Sequence, residues 1–138
     1  MTAVFFDTSA LVKLLLREPG AAAVADAWLL ADPPVCSRLA LVEARAALAA
    51  ALRAGRHDAA RHRRLKRSFE EMWVQVTVVE ADERVVSLAA DLAETHALRG
   101  YDAVHLAAAL IAGVPVFVSS DADQLRAVEA EQLVALAP

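Results

Sequence analysis

The sequence contains a single cysteine, Cys36, which excludes an internal disulfide framework and favours a reducing compartment. It has only four glycines and five prolines, so long disordered stretches are not expected. No apolar stretch reaches the roughly 18 to 20 charge-free residues of a membrane-spanning helix. The first residues lack the basic start and the length of a signal peptide. We therefore predict a soluble, cytoplasmic protein with no membrane partner.

The composition is that of a chain able to bury a core. Among its 138 residues, 58% are hydrophobic and 23% are charged. This length suits one domain of ordinary size that needs neither disulfides nor a structural metal. We predict a single domain over residues 1–138.

Positive charge is scarce overall but concentrated in one segment. The net charge is −4, yet seven of the 14 lysine and arginine residues lie between Arg53 and Arg67. They are Arg53, Arg56, Arg61, Arg63, Arg64, Lys66 and Arg67. Such a cluster can follow a phosphate backbone, or it can simply be the solvated face of a helix.

The hydrophobic pattern alternates between short β-branched runs and longer alanine-rich and leucine-rich segments. It predicts strands at 3–6, 35–37, 74–79, 114–118 and 133–136, and helices at 10–16, 21–30, 38–54, 58–72, 82–97, 101–112 and 121–128. Strands separated by helices favour right-handed crossovers and a mostly parallel sheet. Binding sites in such sheets form beyond the carboxyl ends of the strands, where Asp7 and Asp121 are expected.

Four carboxylates occur at the edge of, or inside, strongly apolar runs: Asp7, Glu43, Asp102 and Asp121. Taken singly, the three aspartates could be helix caps, since each stands near the start of a predicted helix. Glu43 lies about five residues inside a helix, where capping cannot explain it and only a solvent-facing position would be the alternative. An unpaired buried carboxylate is costly, and a shared divalent metal would compensate the cluster.

The donor types indicate which metal and which chemistry would fit. Carboxylate oxygens suit Mg²⁺ or Mn²⁺, and the spacing of histidine and cysteine typical of zinc sites is missing. A site built from carboxylates alone suits phosphodiester hydrolysis, in which an ion lowers the pKa of the attacking water and a second ion can stabilise the leaving oxygen.

The order and spacing of four segments, at 4–11, 37–43, 98–107 and 117–121, resemble those of the PIN-domain ribonucleases, and specifically the VapC-type toxins of toxin–antitoxin pairs. The similarity runs along the whole chain. It implies a three-layer α/β/α fold with a mostly parallel sheet of about five strands. It also implies Mg²⁺-dependent or Mn²⁺-dependent endonuclease activity on RNA.

The resemblance assigns roles to individual residues. The catalytic and metal-binding residues would be Asp7, Glu43, Asp102 and Asp121. Asp123 would be a further metal-binding acid, while Thr8, Ser9 and Ser119 would steady the pocket or its water. The family usually has threonine at the position of Ser119. His105 could orient a carboxylate or touch RNA, or it could be a core histidine behind the site.

The resemblance also implies partners. Proteins of this type are held inactive by a small VapB-type antitoxin and tend to form homodimers. The basic segment then becomes a candidate RNA-binding surface, with Arg61, Arg63, Arg64, Lys66 and Arg67 as its contacts.

Three other functions can be weighed on the residues. Haloacid-dehalogenase phosphatases require a second aspartate two residues after the first, where this chain has Ser9, and they also require a later lysine. Phospho-receiver domains need a lysine near the end of the sheet, and no lysine follows Lys66. A catalytically silent PIN-fold protein or RNA-binding module is the stronger alternative.

Overall fold

The computed structural model describes residues 2–138 of the chain. The strands are β1 (Thr2–Phe6), β2 (Ala31–Ser37), β3 (Thr77–Val79), β4 (Val116–Val118) and β5 (Val134–Leu136). The helices are α1 (Thr8–Leu15), α2 (Ala21–Leu30), α3 (Leu39–Arg53), α4 (Ala59–Gln75), α5 (Glu83–His96), α6 (Gly100–Ala112) and α7 (Ala122–Ala130).

The five strands form one parallel sheet in the order β3-β2-β1-β4-β5. The chain builds outward from β1 through β2 to β3, and then returns to place β4 on the other side of β1. The strand order therefore reverses between β1 and β4, which is where open α/β sheets bind their ligands. This point lies at the carboxyl end of β1, directly before Asp7.

Successive side chains of β1 pack into two hydrophobic cores, one on each face of the sheet. Phe5 stacks on Phe117 with ring centroids 4.9 Å apart and belongs to the core under α5, α6 and α7. Val4 and Phe6 point to the opposite core, under α1 to α4. Full burial of a phenylalanine contributes about 1.5–3 kcal/mol, so the period-2 pattern of β1 holds both helical layers on the sheet. The three-layer α/β/α prediction is confirmed.

Two strand boundaries differ from the prediction by three residues or more. The segment from residue 74 was expected to be strand, but α4 continues to Gln75 and the strand covers only Thr77–Val79. The packing of Phe69 against Trp73, with ring centroids 5.7 Å apart, keeps the chain helical through this region. Tertiary packing thus outweighs the β propensity of the valines.

Strand β2 begins at Ala31 rather than at residue 35, and so includes Pro33 and Pro34. Only Val35–Ser37 pairs with β3, so the proline-containing part of β2 has β1 as its single neighbour. Proline is tolerated there because no ladder hydrogen bond is needed on the unpaired side.

Among the helices described for residues 2–138, none is both long enough and apolar enough to cross a bilayer.

Candidate active site

All four predicted acids line one cavity of about 430 Å³ at the carboxyl edge of the sheet. Asp7 follows β1, Asp121 follows β4 after two serines, Glu43 lies on α3 and Asp102 lies on the first turn of α6. The parallel sheet and its crossovers thus bring together carboxylates separated by up to 114 residues of chain. The metal-binding role assigned to them stays a prediction.

Asp7 is buried and caps α1. One of its carboxylate oxygens accepts hydrogen bonds from the backbone N–H of Ser9, at 3.1 Å, and from the Ser9 hydroxyl, at 2.6 Å. The Ser9 hydroxyl in turn accepts a bond from the backbone N–H of Ser120, at 3.0 Å. Asp7 therefore both caps α1 and lines the cavity: its Oδ2 serves the helix start, and its Oδ1 faces side chains from other elements.

Glu43 finds its partners on other elements. Its Oε1 accepts a hydrogen bond from the Thr8 hydroxyl at 2.8 Å and makes a second, short contact with Nε2 of His105. Neither Arg38 nor Arg45 pairs with it among the described residues. Burial alone would raise the pKa of Glu43, but the hydrogen bond and charge of His105, the Thr8 bond and the charge of Arg99 together lower it. Glu43 is thus held ionised.

His105 is a buried histidine whose ring links two of the acids. Its Nε2 contacts Glu43 and lies 3.9 Å from Oδ1 of Asp7. Burial lowers the pKa of His105, but the hydrogen bond to Glu43 and the charges of Asp7, Glu43 and Asp102 outweigh burial and raise it above its usual value. The buried position fits a histidine that orients a carboxylate and does not fit one that touches RNA directly.

Asp102 and Asp121 share one arginine, Arg99, which was not singled out in the sequence. Arg99 donates from Nε to Asp102 at 3.1 Å, and its terminal nitrogen lies 3.6 Å from Asp121. Burial raises the pKa of Asp102, and the charges of Asp7 and Asp121 add to this effect and outweigh the Arg99 contact. The three-residue spacing between Arg99 and Asp102 at the helix start could have indicated the pair.

Gln124 is a second residue missed in the sequence. It is fully buried, and its amide nitrogen donates to Oδ1 of Asp7 at 3.3 Å and to the backbone carbonyl of Asp102 at 3.1 Å. Its amide oxygen accepts a bond of 2.6 Å from the hydroxyl of Ser119. Ser119 also accepts the backbone N–H of Asp121, at 3.0 Å. This network joins α6, α7 and the end of β1, and nothing in the local sequence around residue 124 announces it.

The donor set fits a hard divalent ion in chemical type, since it consists of carboxylate oxygens with hydroxyls beside them. Within residues 2–138, however, no group of three or more His, Cys, Asp or Glu side chains is arranged as it stands to hold an ion. Two basic side chains pair with the carboxylates instead: Arg99 contacts Asp102 and Asp121, and His105 contacts Glu43. An ion bound by Asp102 and Asp121 would compete with the exposed Arg99 side chain for these carboxylates.

The remaining predicted residues lie outside this cavity. Asp123 is exposed, pairs with Arg126 and borders a neighbouring cavity rather than the one that the four acids share. The five candidate RNA contacts lie along α4, where Arg63, Lys66 and Arg67 line a separate shallow depression. The roles predicted for Asp123 and for these basic residues stay predictions.

Comparison with known proteins identifies the family. The PIN domain matches residues 4–130, which is most of the chain. This chain is a PIN domain. Ribonuclease VapC45 of Mycobacterium tuberculosis (strain CDC 1551 / Oshkosh) is 45% identical to it over 120 residues, a match covering 86% of this chain and 82% of the relative. The resemblance to VapC-type proteins is thereby confirmed.

Solved structures share the fold of this PIN domain. A toxin–antitoxin complex from Klebsiella pneumoniae matches with a TM-score of 0.72 and 15% identity, over 99% of this chain and 98% of that one. The Mycobacterium tuberculosis toxin VapC20, described as cleaving the sarcin–ricin loop, matches with a TM-score of 0.71 and 18% identity, over 99% and 100% of the two chains. At these identities the likeness concerns the fold.

Proposed function

We propose that the chain is a Mg²⁺-dependent or Mn²⁺-dependent endoribonuclease that acts as the toxin of a toxin–antitoxin pair. The observation that carries the proposal is the convergence of Asp7, Glu43, Asp102 and Asp121 on one cavity at the strand-order reversal of the sheet. The 45% identity to a protein named as a VapC ribonuclease supports RNA as the substrate class.

In this proposal Asp7, Glu43, Asp102 and Asp121 hold the ion, and Asp123 is a peripheral acid. A bound Mg²⁺ or Mn²⁺ would supply an activated water and neutralise charge on the scissile phosphate.

The other residues of the cavity act as positioning residues. Gln124 and Ser9 fix the two oxygens of Asp7, while Thr8 and His105 fix Glu43. These hydrogen bonds hold the side chains of Asp7 and Glu43 in place, so less free energy is lost in ordering these two carboxylates when an ion binds.

The basic segment is proposed to carry the RNA backbone. Among the described residues, none of Arg61, Arg63, Arg64, Lys66 and Arg67 makes an ion pair within the protein. The segment reaches the cavity through Arg56, which pairs at 3.1 Å with Glu18 on the cavity rim. A phosphate backbone could therefore continue from the acidic cavity onto α4.

We also propose a small VapB-type antitoxin as partner, homodimerisation, and a cytoplasmic location. The fold is shared with proteins solved as toxin–antitoxin complexes. Leu29 and Leu30 at the end of α2 are exposed, whereas Leu11, Leu15 and Val24 of the same helical hairpin are core residues. The exposed leucines at the tip of α2 are therefore the proposed contact for the antitoxin.

The test is cleavage of total cellular RNA by the purified, antitoxin-free protein, with Mg²⁺, with Mn²⁺ and with a chelator. Discrete metal-dependent fragments are expected from the wild type and from Glu94→Gln, an exposed carboxylate on α5 that serves as the matched control. Glu43→Gln should yield none. Equal cleavage by Glu43→Gln would refute the site. Metal-independent RNA binding without cleavage, by a well-folded wild type, would favour the silent RNA-binding module instead.

A further inference from the structure

A second cavity opens beside the acidic one. It has a volume of about 440 Å³ and is lined by Glu43, Arg99, Gly100, Tyr101 and Asp102. Three of these residues, Glu43, Arg99 and Asp102, also line the acidic cavity. The two spaces are therefore adjacent, and a polymer whose phosphate lies at the acids would place its neighbouring group here. The volume falls within the range of about 300–1,000 Å³ typical of ligand pockets.

Tyr101 supplies an aromatic surface to this second cavity. It is the only tyrosine in the chain and is 65% exposed, directly before Asp102 on the first turn of α6. Phe5, Phe6, Phe69 and Phe117 are by contrast fully buried. The exposure of Tyr101 beside Glu43 and Asp102 is not explained by packing, since the buried residues of α6 are those at positions 103–109.

Gly100 keeps the cavity open. Its backbone does not adopt a left-handed conformation, so glycine is not required there by φ. A Cβ placed at this position would meet no atom within 4 Å, so glycine is not required by packing either. Glycine at the first position of a helix costs conformational entropy relative to other residues. The missing side chain leaves free space next to Tyr101.

Arg99 completes the set with a cation. Its side chain is 82% exposed, and its ion pairs with residues 2–138 are those with Asp102 and Asp121. Once a divalent ion neutralises those carboxylates, its guanidinium is free to bind a phosphate, for which its planar donors are suited.

We propose that this second cavity is a nucleobase subsite for single-stranded RNA, in which a base next to the scissile phosphate stacks on Tyr101 and an adjacent phosphate contacts Arg99. The inference rests on the proposed endoribonuclease function and adds that the RNA is bound in a single-stranded form. Aromatic rings stack on any base, and single strands expose their bases for such contacts. The subsite therefore selects unpaired RNA over duplex.

The test uses a single-stranded RNA of about eight nucleotides that carries the fluorescent base 2-aminopurine at each position in turn. Binding is measured with Ca²⁺ in place of Mg²⁺, and the RNA is checked afterwards for cleavage. Stacking on Tyr101 should quench the fluorescence at one position. Tyr101→Ala should abolish that quenching and weaken affinity about five- to 150-fold, since base stacking is of that strength.

Companion variants separate stacking from loss of structure. Tyr101→Phe keeps the aromatic face and should bind within about twofold of the wild type. Gly100→Leu should fold normally, because its side chain enters open space, yet weaken binding by filling the cavity. Arg99→Gln should reduce the slope of log affinity against log salt by about 0.7. Val86→Ala, which trims an exposed apolar side chain on α5, should change neither affinity nor quenching.

The outcomes distinguish this inference from the proposed function. Unchanged affinity and quenching in Tyr101→Ala would overturn the subsite, even if the wild type cleaves total RNA. A smaller sedimenting species for Tyr101→Ala than for the wild type would also overturn the subsite, since Tyr101 would then belong to a subunit interface. Tyr101-dependent quenching by a wild type that cleaves no RNA with any metal would uphold the subsite and refute the nuclease.

Discussion

Replacing Gln124 with leucine removes the side chain that joins Asp7, Ser119 and the first turn of α6. Leucine has a similar volume, so the change deletes hydrogen bonds without opening a large cavity. Three bonds are lost, at 2.6 Å to Ser119, 3.1 Å to the carbonyl of Asp102 and 3.3 Å to Asp7. Leucine also leaves the buried Asp7 oxygen without this donor.

The expected cost follows from the kind of bond lost. Each of the two bonds to neutral groups is worth about 0.5–1.5 kcal/mol, and the bond to the Asp7 carboxylate about 1.5–3 kcal/mol. Burial of leucine offsets part of this loss. We expect a net destabilisation of about 3 kcal/mol, which for a chain of 138 residues lowers the melting temperature by about 10 °C.

The assay is thermal and urea unfolding followed by circular dichroism, with Gln75→Leu as the matched control. Gln75 is exposed, and its side chain donates one hydrogen bond of 3.4 Å, to the Glu71 carbonyl, among the described residues, so its replacement should cost less than about 0.5 kcal/mol. In an Asp7→Asn background, Gln124→Leu should cost about 1 kcal/mol less, because no charge is left without a donor. A Gln124→Leu protein that melts within about 2 °C of the wild type would refute the network as a source of stability.

Three further predictions use other features. Asp102→Asn should abolish cleavage but stabilise the protein at neutral pH. Burial raises the pKa of Asp102 in the folded wild type, so the wild type is most stable below the pKa that Asp102 has when unfolded. The wild type then loses stability as the pH rises through the pKa of the folded state, whereas the asparagine variant does not. The difference in unfolding free energy between Asp102→Asn and the wild type, measured by urea titration, should therefore vanish below about pH 4. A difference that persists at that pH would show that burial of the charge is not its cause. Neutralising Arg61, Arg63 and Arg64 together should weaken RNA binding and flatten its salt dependence, whereas an unaltered slope would make them a solvated face. Burial and the charge of Asp7 raise the pKa of the Cys36 thiol, so Ellman's reagent should modify Cys36 only at the rate of unfolding, and fast labelling of the native protein would contradict its burial.

Local sequence determined much of the architecture. The short continuous apolar run of β1, followed at once by Asp7 and a capped helix, predicted a buried strand and a helix start without tertiary information. The alternation of such strands with helices was sufficient to predict a mostly parallel sheet, whereas the two helical layers were implied by the resemblance to PIN domains. It also placed Asp7 and Asp121 at the carboxyl edge, since parallel strands end on the same side.

The tertiary structure decided which side chains meet at that edge. Gln124 reaches Asp7 across 117 residues because β4 lies beside β1, and no local pattern encodes that adjacency. Glu43 and His105 are likewise paired by the packing of α3 and α6 near β1. The end of α4 at Gln75 also depended on packing, because the local preference of the valines was for strand. Patterns along the chain specify each element and its buried face, whereas partners from different elements become neighbours only when the sheet order brings them together.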